Sequence, residues 1–465
     1  MRKVPGFLLF SALTFTSNGC AFGPISTVES GDIPSEWEQQ IAPDAPVWPD
    51  SEWWTQFESE ELDRVIVDVA AGNLSLAAAA QRIIQADARV RIIGSALLPG
   101  IDAGISGSRS GNVNDAGSFE SSFGADFRAS YELDFWGANR GNLRAAEAGQ
   151  AASRADRATV ALTAVAAAAN TYFQLLSLRE RLEIARLNLE LAESVLAVTQ
   201  ARVRNGVSPP LELSQQLGQI AGQRAEIPQL EQQVLETRAA LAFLTGRPPE
   251  GFDVAGQNLD AIVTPTVSPG IPSELLLRRP DLVSAEAGLV AAHADIVAAR
   301  AALFPSMSLS AGGGVSSGSL RGLLDAPLGI SIGASLSQLI FDAGARRAQR
   351  DAAEAAELET LANYRNTVIS AFADVEIALG NITNLAEQEM YEIEQTAQAQ
   401  VAFDIVTARY QEGAVDYLTL LDAQRTLYQA RDSLGQIKLA RLQAVVDLFQ
   451  ALGGGWHVET LLAEN

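Results

Sequence analysis

From Phe123 to Phe135 every second residue is apolar. Phe123, Ala125, Phe127, Ala129, Tyr131, Leu133 and Phe135 fall on one face, and Gly124, Asp126, Arg128, Ser130, Glu132 and Asp134 on the other. A strict period of two with aromatics at both ends is how a β-strand reads when one face meets lipid and the other water. At Trp136-Gly137 the period becomes helical and continues to Asn205 without a proline, with only Gly141 and Gly149 as weak points near its start. At 1.5 Å per residue such a stretch spans about 100 Å. A membrane strand running straight into a helix of that length is not the architecture of a soluble enzyme. It implies a conduit with one end in a membrane and the other far away in water.

The same order of elements occurs twice. The first copy, 61–249, opens with helical patterning that Pro99 ends. Strands are expected at about 100–110 and 123–135, with a Gly/Asn/Ser/Asp loop at 111–122 between them. The long helix at about 137–205 is broken by Gly206-Val207-Ser208-Pro209-Pro210, and a return helix covers 211–245, with a kink or break expected at Pro228. A Pro/Gly-punctuated linker, 250–272, leads to the second copy, 273–456. That copy predicts a helix over 273–302, strands at about 303–315 and 328–341, a long helix at about 343–411 and a return helix at 416–452. Arg202 and Gly206 of the first copy match Arg409 and Gly413 of the second at an offset of 207 (409 − 202), and Leu211 and Leu418 keep that offset.

At 465 residues the chain would ordinarily make two or three domains. With 6% aromatics and Ala, Leu, Gln, Glu and Arg dominating, it reads instead as long helices. A net charge of −23 excludes a nucleic-acid partner, which needs a basic footprint, and suits an acidic lining for cations or neutral solutes. Met1-Arg2-Lys3 and the apolar run from Val4 to Phe15 form a signal peptide, 1–19, too short to span a bilayer. Cys20 directly follows Gly19 and is the only cysteine. No intrachain disulfide is possible, and the position resembles the acylated cysteine of a bacterial lipoprotein. An extended arm, 20–60, carries Trp48, Trp53 and Trp54, and a tail, 457–465, ends the chain.

Two strands per copy give four per chain, which cannot close a barrel. An open sheet edge in lipid leaves backbone groups unsatisfied at several kcal/mol each. Two chains would supply eight strands, and eight-stranded barrels are filled by their own side chains; three chains would supply twelve and leave a lumen. The Gly/Ser-rich inner faces favour three. The long helices carry mostly Ala at their apolar positions, as in Ala161, Ala164, Ala168 and Ala169, which allows close packing into a tube but buries little area in isolation.

Leu277-Arg278-Arg279-Pro280-Asp281-Leu282, then Ala298-Ala299-Arg300-Ala301-Ala302-Leu303-Phe304-Pro305, and the ending Ala451-Leu452-Gly453-Gly454-Gly455-Trp456, resemble the motifs of the TolC/OprM-type outer-membrane efflux proteins, in their lipoprotein branch. The resemblance implies a homotrimer with a twelve-stranded outer-membrane β-barrel and a periplasmic α-helical barrel. Its implied partners are a periplasmic adaptor and an inner-membrane resistance-nodulation-division pump. It also implies a periplasmic gate: Leu418 and Asp422 as apolar and acidic constricting rings, with Arg409, Tyr410 and Arg425 in the polar network that holds the tips closed. Arg202, Gly206, Val207, Gly413 and Ala414 match the tips that meet the adaptor. Leu418 and Asp422 are one helical turn apart, so they share a face. The first-copy counterparts of Tyr410 and Asp422 are Val203 and Gln215, so the second tip is expected to carry the gate.

No catalytic constellation is present, and no cofactor beyond a lipid on Cys20 is implied. His293 and His457 stand apart without ligand spacing, so no metal site is expected. Gly312-Gly313-Gly314 is followed by neither Lys nor a helix and is not a phosphate loop. The function classes left are a passive gated duct for small-molecule efflux, the outer component of a one-step (type I) secretion system, and a structural coiled-coil lipoprotein tether.

Overall fold

The computed structural model of this chain describes residues 34, 36–38, 48–111, 119–266 and 268–456. The leader, Cys20, most of the arm, His457 and the tail lie outside the described residues. Two short helices, α1 (Glu60–Gly72) and α2 (Leu74–Gly94), lead into β1 (Gly100–Gly111) and β2 (Phe119–Leu133). The long helix α3 (Ala138–Arg204) and the return helix α4 (Pro210–Leu244) complete the first copy. The second copy contains α5 (Leu275–Arg278), α6 (Pro280–Ala301), β3 (Ser306–Ser317), β4 (Gly329–Ser337), α7 (Ala345–Gln411) and α8 (Tyr417–Ala451). The helices α3 and α7 have 67 residues each, hence about 100 Å, and each pairs with its return helix as an antiparallel hairpin.

Several boundaries differ from the sequence expectation. β2 begins at Phe119, because Phe119 and Ser121 extend the outward face and pair with the far end of β1. The residues 303–305 form the turn after α6 instead of opening β3, and 338–341 leave the ladder after β4. The helix expected over 273–302 is divided at Pro280, which lacks the N–H that would bond back into α5 and instead begins α6 at its first position. Pro228 does not break α4. It is exposed, while Ile227 and Leu230 on either side pack with Leu178 and Leu182 of α3, and that packing outweighs the proline's penalty of about 3 kcal/mol.

The strands form one antiparallel meander, β1-β2-β3-β4, whose register gathers the large apolar side chains on one face, with Arg109, Ser121 and Ser317 joining that face only at its far end. Ile101, Ala103 and Ile105 stand opposite Ala129, Phe127 and Ala125, which in turn stand opposite Ala311, Gly313 and Val315; Ile332 and Ile330 continue the row. The other face carries Gly and Ser with Asp102, Glu120, Asp126 and Glu132 set against Arg128 alone. On the apolar face the rings of β2 lie over neighbouring glycines. A Cβ on Gly313 would come 2.9 Å from Phe127, and one on Gly111 2.6 Å from Phe119. The ring supplies the cover that the glycine lacks.

Below the sheet, Trp136 stacks on Phe304 at 4.7 Å and donates its indole N–H to the Pro305 carbonyl, 2.8 Å away. Asp134 accepts the Asn139 and Arg140 backbone N–H groups at 3.1 and 2.9 Å and so caps α3. Asp342 does the same for α7 through Gly344 and Arg346. Each copy therefore turns from strand to helix by the same device, a carboxylate held at a helix N-terminus where the dipole favours it.

The largest core lies at mid-height, where the arm, α1 and the linker wrap the long helices. Trp53 stacks on Phe449 at 4.9 Å, and Phe57 packs on Phe173 at 5.0 Å. The linker is strapped to α3 by Arg179, which donates to the Val254 and Gly256 carbonyls at 2.7 and 2.6 Å. The two signature motifs meet here. Arg279 chelates Asp281 at 2.7 and 3.0 Å and reaches Asp374 at 2.9 Å, while Arg278 covers the Trp48 ring at 4.4 Å. The Arg278 carbonyl lies against Gly453. Gly453, Gly454 and Gly455 have φ of 86°, 58° and 76°, and a Cβ on each would collide with α5, with Leu162 or with the backbone of Asp50 respectively. The triple glycine is thus the point where α5 and the arm approach backbone to backbone and Leu162 of the first copy packs its side chain between them.

Candidate gate at the hairpin tips

Both hairpins turn in the same way. Val207 N–H bonds to Arg202 O at 2.9 Å and Gly206 N–H to Val203 O at 3.0 Å, with Gly206 at φ 69°. Ala414 to Arg409 and Gly413 to Tyr410 repeat these bonds at 2.9 and 3.0 Å, with Gly413 at φ 78°. This is the Schellman ending of a helix, which requires the left-handed conformation that glycine adopts without strain. Gly206, Val207, Gly413 and Ala414 are all exposed at the extreme end of the molecule.

The sides of the two tips are unlike. α8 is capped by Asp416, whose carboxylate accepts the Thr419 hydroxyl at 2.7 Å and its N–H at 2.9 Å. Those two bonds hold the Asp416 carboxyl below the usual carboxylate range. α4 begins instead with Pro209-Pro210 and has no side-chain cap. Along α8, Tyr417, Leu420, Leu421, Gln424 and Leu427 are buried, and Leu418, Asp422 and Arg425 lie on the exposed side. Leu418 is 58% exposed, a large apolar side chain presented to solvent one turn from a carboxylate.

Tyr410 is not on that exposed face. It is 2% exposed, enclosed where the two hairpins of one chain meet, with its hydroxyl 3.3 Å from the Thr199 hydroxyl. Arg202 lies over its ring at 4.8 Å, donates to its carbonyl at 3.0 Å and to the Ser208 hydroxyl at 3.1 Å. Arg425 likewise turns away from Asp422 and donates to the Gln219 side chain on α4 at 3.1 and 3.3 Å. Of the three residues assigned to the polar network, Tyr410 and Arg425 tie hairpin to hairpin within a chain. Arg409 is exposed, and among the described residues its guanidinium makes no hydrogen bond or ion pair.

The junction also contains residues that sequence reasoning missed. Tyr417 donates to the buried Gln216 at 2.6 Å, and Gln216 donates on to the Ala192 carbonyl at 2.6 Å. Burial first, and the neighbouring Tyr410 second, push the Tyr417 hydroxyl up to about 12. Further along, Tyr428 bonds to Glu226, and Arg181 pairs with Asp432 at 2.6 Å. Nothing near Tyr417 or Gln216 in sequence marks them. The available signal was that Tyr417 stands where the first copy has Pro210.

Among the described residues no cluster of His, Cys, Asp and Glu could hold a metal ion, and His293 faces Glu357 at 2.7 Å across α6 and α7. What remains is a long tubular frame with an apolar-faced sheet at one end and a polar junction at the other. The sequence model of the outer membrane efflux protein family matches residues 65–247 and 271–454, once for each copy. This chain belongs to that family. It is 42% identical over 436 residues to the pyoverdine export outer membrane protein OpmQ of Pseudomonas aeruginosa, covering 91% of each chain. It is 29% identical over 462 residues to the cation efflux system protein CusC of Escherichia coli, covering 98% of this chain and 99% of the relative. The solved outer-membrane channel OprN superposes with a TM-score of 0.85 at 27% identity, over 94% of this chain and all of the other. The fold of this efflux protein is that of the outer membrane channels: a duplicated repeat with a four-stranded sheet and a helical tube.

Proposed function

We propose that three copies of this efflux protein close into one outer-membrane duct, fed from the periplasmic side by an adaptor and an inner-membrane resistance-nodulation-division pump. The observation that carries the reading is the sheet. Its apolar face is continuous across four strands, its opposite face is small, polar and acidic, and β1 and β4 both end in unpaired edges. In lipid those edges must be closed by further chains, and closure of three sheets leaves a lumen with carboxylates in excess. The helices then extend that lumen into the periplasm. A coiled-coil tether has no use for the sheet.

The chain supplies passage and a gate and no chemistry of its own, so it is not an enzyme. Three copies of Leu418 would form an apolar constriction with three Asp422 carboxylates one turn away, which controls passage by size and field. The tip residues Arg202, Gly206, Val207, Gly413 and Ala414, all exposed except the half-buried Arg202, are the contact for the adaptor. Cys20 carries the lipid that anchors the chain, and mass spectrometry of the amino-terminal peptide reads it directly. The cargo is a small molecule of the kind named for the relatives, with pyoverdine first because OpmQ shares the most identity among those compared.

The test is single-channel conductance in planar bilayers. Wild-type protein should show small, rare openings, and the Leu418→Ala/Asp422→Ala variant large openings with weaker cation preference at the tip. Folded, trimeric protein that conducts in neither form removes the duct and restores the tether.

A further inference from the structure

We infer that the inner wall of the tube, just below the sheet, carries a site for organic anions built around Arg82 and Arg89 of α2. The inference rests on the trimeric duct proposed above, because that reading decides which face of α2 is the inner one. Arg82, Gln85 and Arg89 line a cavity of about 950 Å3 that continues across α3 at Asn139 and Asn142 and reaches α6 at Asp295. The side chains of Arg82, Gln85, Arg89, Asn139 and Asn142 make no hydrogen bond or ion pair among the described residues. Asp87, the only carboxylate on α2, is not among the side chains lining the cavity and accepts from Gln150 on α3. A Cβ on Gly149, in the α3 wall, would meet nothing within 4 Å, so the space in front of the arginines is open.

The helical period places this cavity inside the duct. A second cavity lies between the same two helices, and there Asn73, Leu76, Ala77 and Ala80 of α2 face Trp53 and Trp54 of the arm. The arm wraps the long helices from outside. Arg82 follows Ala80 by two residues, about 200° round a helix of 3.6 residues per turn, and Arg89 is about two turns beyond Arg82. Both guanidinium groups are therefore on the face opposite the arm. Arg91 follows Ala80 by eleven residues, about three whole turns, and points outward. α3 is divided in the same way: Gly149 lines the inner cavity and Ala158 the outer one, nine residues or about two and a half turns apart.

Two arginines seven residues apart on one face stand about 10 Å apart along the axis. Each guanidinium takes one carboxylate through paired hydrogen bonds, so the spacing selects a chain with anionic groups at that separation over a shorter one. Gln85, one turn from each arginine, offers its amide to the middle of such a ligand, and Asn139 and Asn142 add amides from α3. The site occurs once per chain. Gly72 and Arg278, whose carbonyls cover Gly246 and Gly453, are 206 positions apart (278 − 72), and at that offset Arg82 becomes Gly288 and Arg89 becomes Asp295. Asp295 repels an anion from the second-copy wall and leaves it to α2. Both guanidinium groups are exposed, so each charge pair is screened and weak alone. Weak holding suits a passage, because a solute must leave as readily as it enters. The arginines give an anion a station below a sheet whose inner face carries carboxylates in excess.

Saturation-transfer NMR on the full-length protein in detergent tests the site. The probe is decanedioate, whose extended chain matches the arginine spacing, with succinate as its short counterpart. Expected is saturable binding of decanedioate, stronger than that of succinate, which weakens about tenfold in Arg82→Gln/Arg89→Gln through loss of two screened charge pairs. Gly149→Leu, which fills the cavity from α3 and leaves both arginines in place, should weaken it as well. Arg91→Gln, which removes the outward arginine of the same helix, should bind as wild type does. Absence of saturable binding in wild type, undiminished binding in the double variant, or equal loss in Arg91→Gln overturns the site. Failure of the duct reads differently: protein that binds decanedioate through Arg82 and Arg89 but never conducts in bilayers keeps the anion site and removes its place in a passage.

Discussion

The two copies share a backbone and differ in what their side chains do with it. Their long helices have the same length, their return helices have 35 residues each, and Gly137, Gly206 and Gly246 recur with positive φ as Gly344, Gly413 and Gly453. At the tips the likeness stops. α8 carries Asp416, Tyr417, Arg425 and Tyr428 where α4 carries Pro209, Pro210, Gly218 and Ala221. Backbone geometry is constrained equally in both copies because each must make the same turn and the same junction. Of these four second-copy side chains, Tyr417, Arg425 and Tyr428 bond to Gln216, Gln219 and Glu226 of the first copy in the same chain, and Asp416 caps its own helix.

The sharpest way to break the comparison is at the backbone. A Cβ on Gly246 would sit 2.0 Å from the Gly72 carbonyl oxygen, and one on Gly453 2.0 Å from that of Arg278. In each case the neighbour is backbone and φ is positive, so nothing flexible can yield. Gly246→Ala and Gly453→Ala are both expected to cost more than about 4 kcal/mol, the range reserved for strain and overpacking in a rigid site. Thermal unfolding of purified protein in detergent should show both variants lost or far below wild type. If one copy tolerates alanine and the other does not, the two junctions are not equivalent in the backbone constraint they impose.

That equivalence was legible in the sequence, and the junction was not. A period of two from Phe123 to Phe135, a helical period without proline, and a constant offset between Arg202 and Arg409 are local or repetitive patterns. They specify strand, helix and duplication whatever packs against them. The first strand and the start of β2 were harder, because Ser and Gly on both faces leave little contrast, and only pairing with β1 reveals Phe119 as part of the ladder. The pairs Tyr417 with Gln216 and Arg425 with Gln219 lie 201 and 206 positions apart. Nothing in either segment names its partner. The departures from the repeat, Tyr410 against Val203 and Tyr417 against Pro210, were the trace of the junction in the sequence.

A moderate effect is expected from separating the two arginines. Arg202→Ala removes a hydrogen bond to the Tyr410 carbonyl, one to Ser208 and the cover of the Tyr410 ring, about 2 kcal/mol together. Arg409→Ala removes nothing within the chain, so the folded monomer should be unaffected. Hydrogen exchange at the ends of α3 and α7 reads this difference, and equal loosening in both variants would contradict it.

Alkaline pH probes the same junction more gently. The Tyr417 hydroxyl ionises at about 12 in the folded chain, above its unfolded value of about 10. A raised value means that the folded state holds the proton more tightly. The resulting stability is complete below about pH 10 and is lost as pH rises toward 12. Opening frequency should climb across that window, and Tyr417→Phe should flatten the climb while raising the baseline, because Gln216 then loses its donor. Asp416 acts at the other extreme. Its lowered value stabilises the α8 start above the unfolded carboxylate range, and that contribution disappears as acid protonates it.

The smallest effect sharpens the comparison by making the second copy more like the first. Gln424 is 2% exposed among Leu420, Leu421 and Leu427, and neither atom of its amide has a hydrogen-bond partner among the described residues. Its first-copy counterpart is Leu217. A buried amide without partners costs about 1–3 kcal/mol, so Gln424→Leu should stabilise the closed junction by about 1 kcal/mol once imperfect fit of the branched side chain is allowed for. The expected readout is slower exchange of the α8 amides and rarer openings, without change in the conductance of those that occur. Faster exchange would mean that Gln424 is satisfied in the assembled channel. The polar character of the second copy would then extend one residue deeper into the tip than Tyr417 and Gln216.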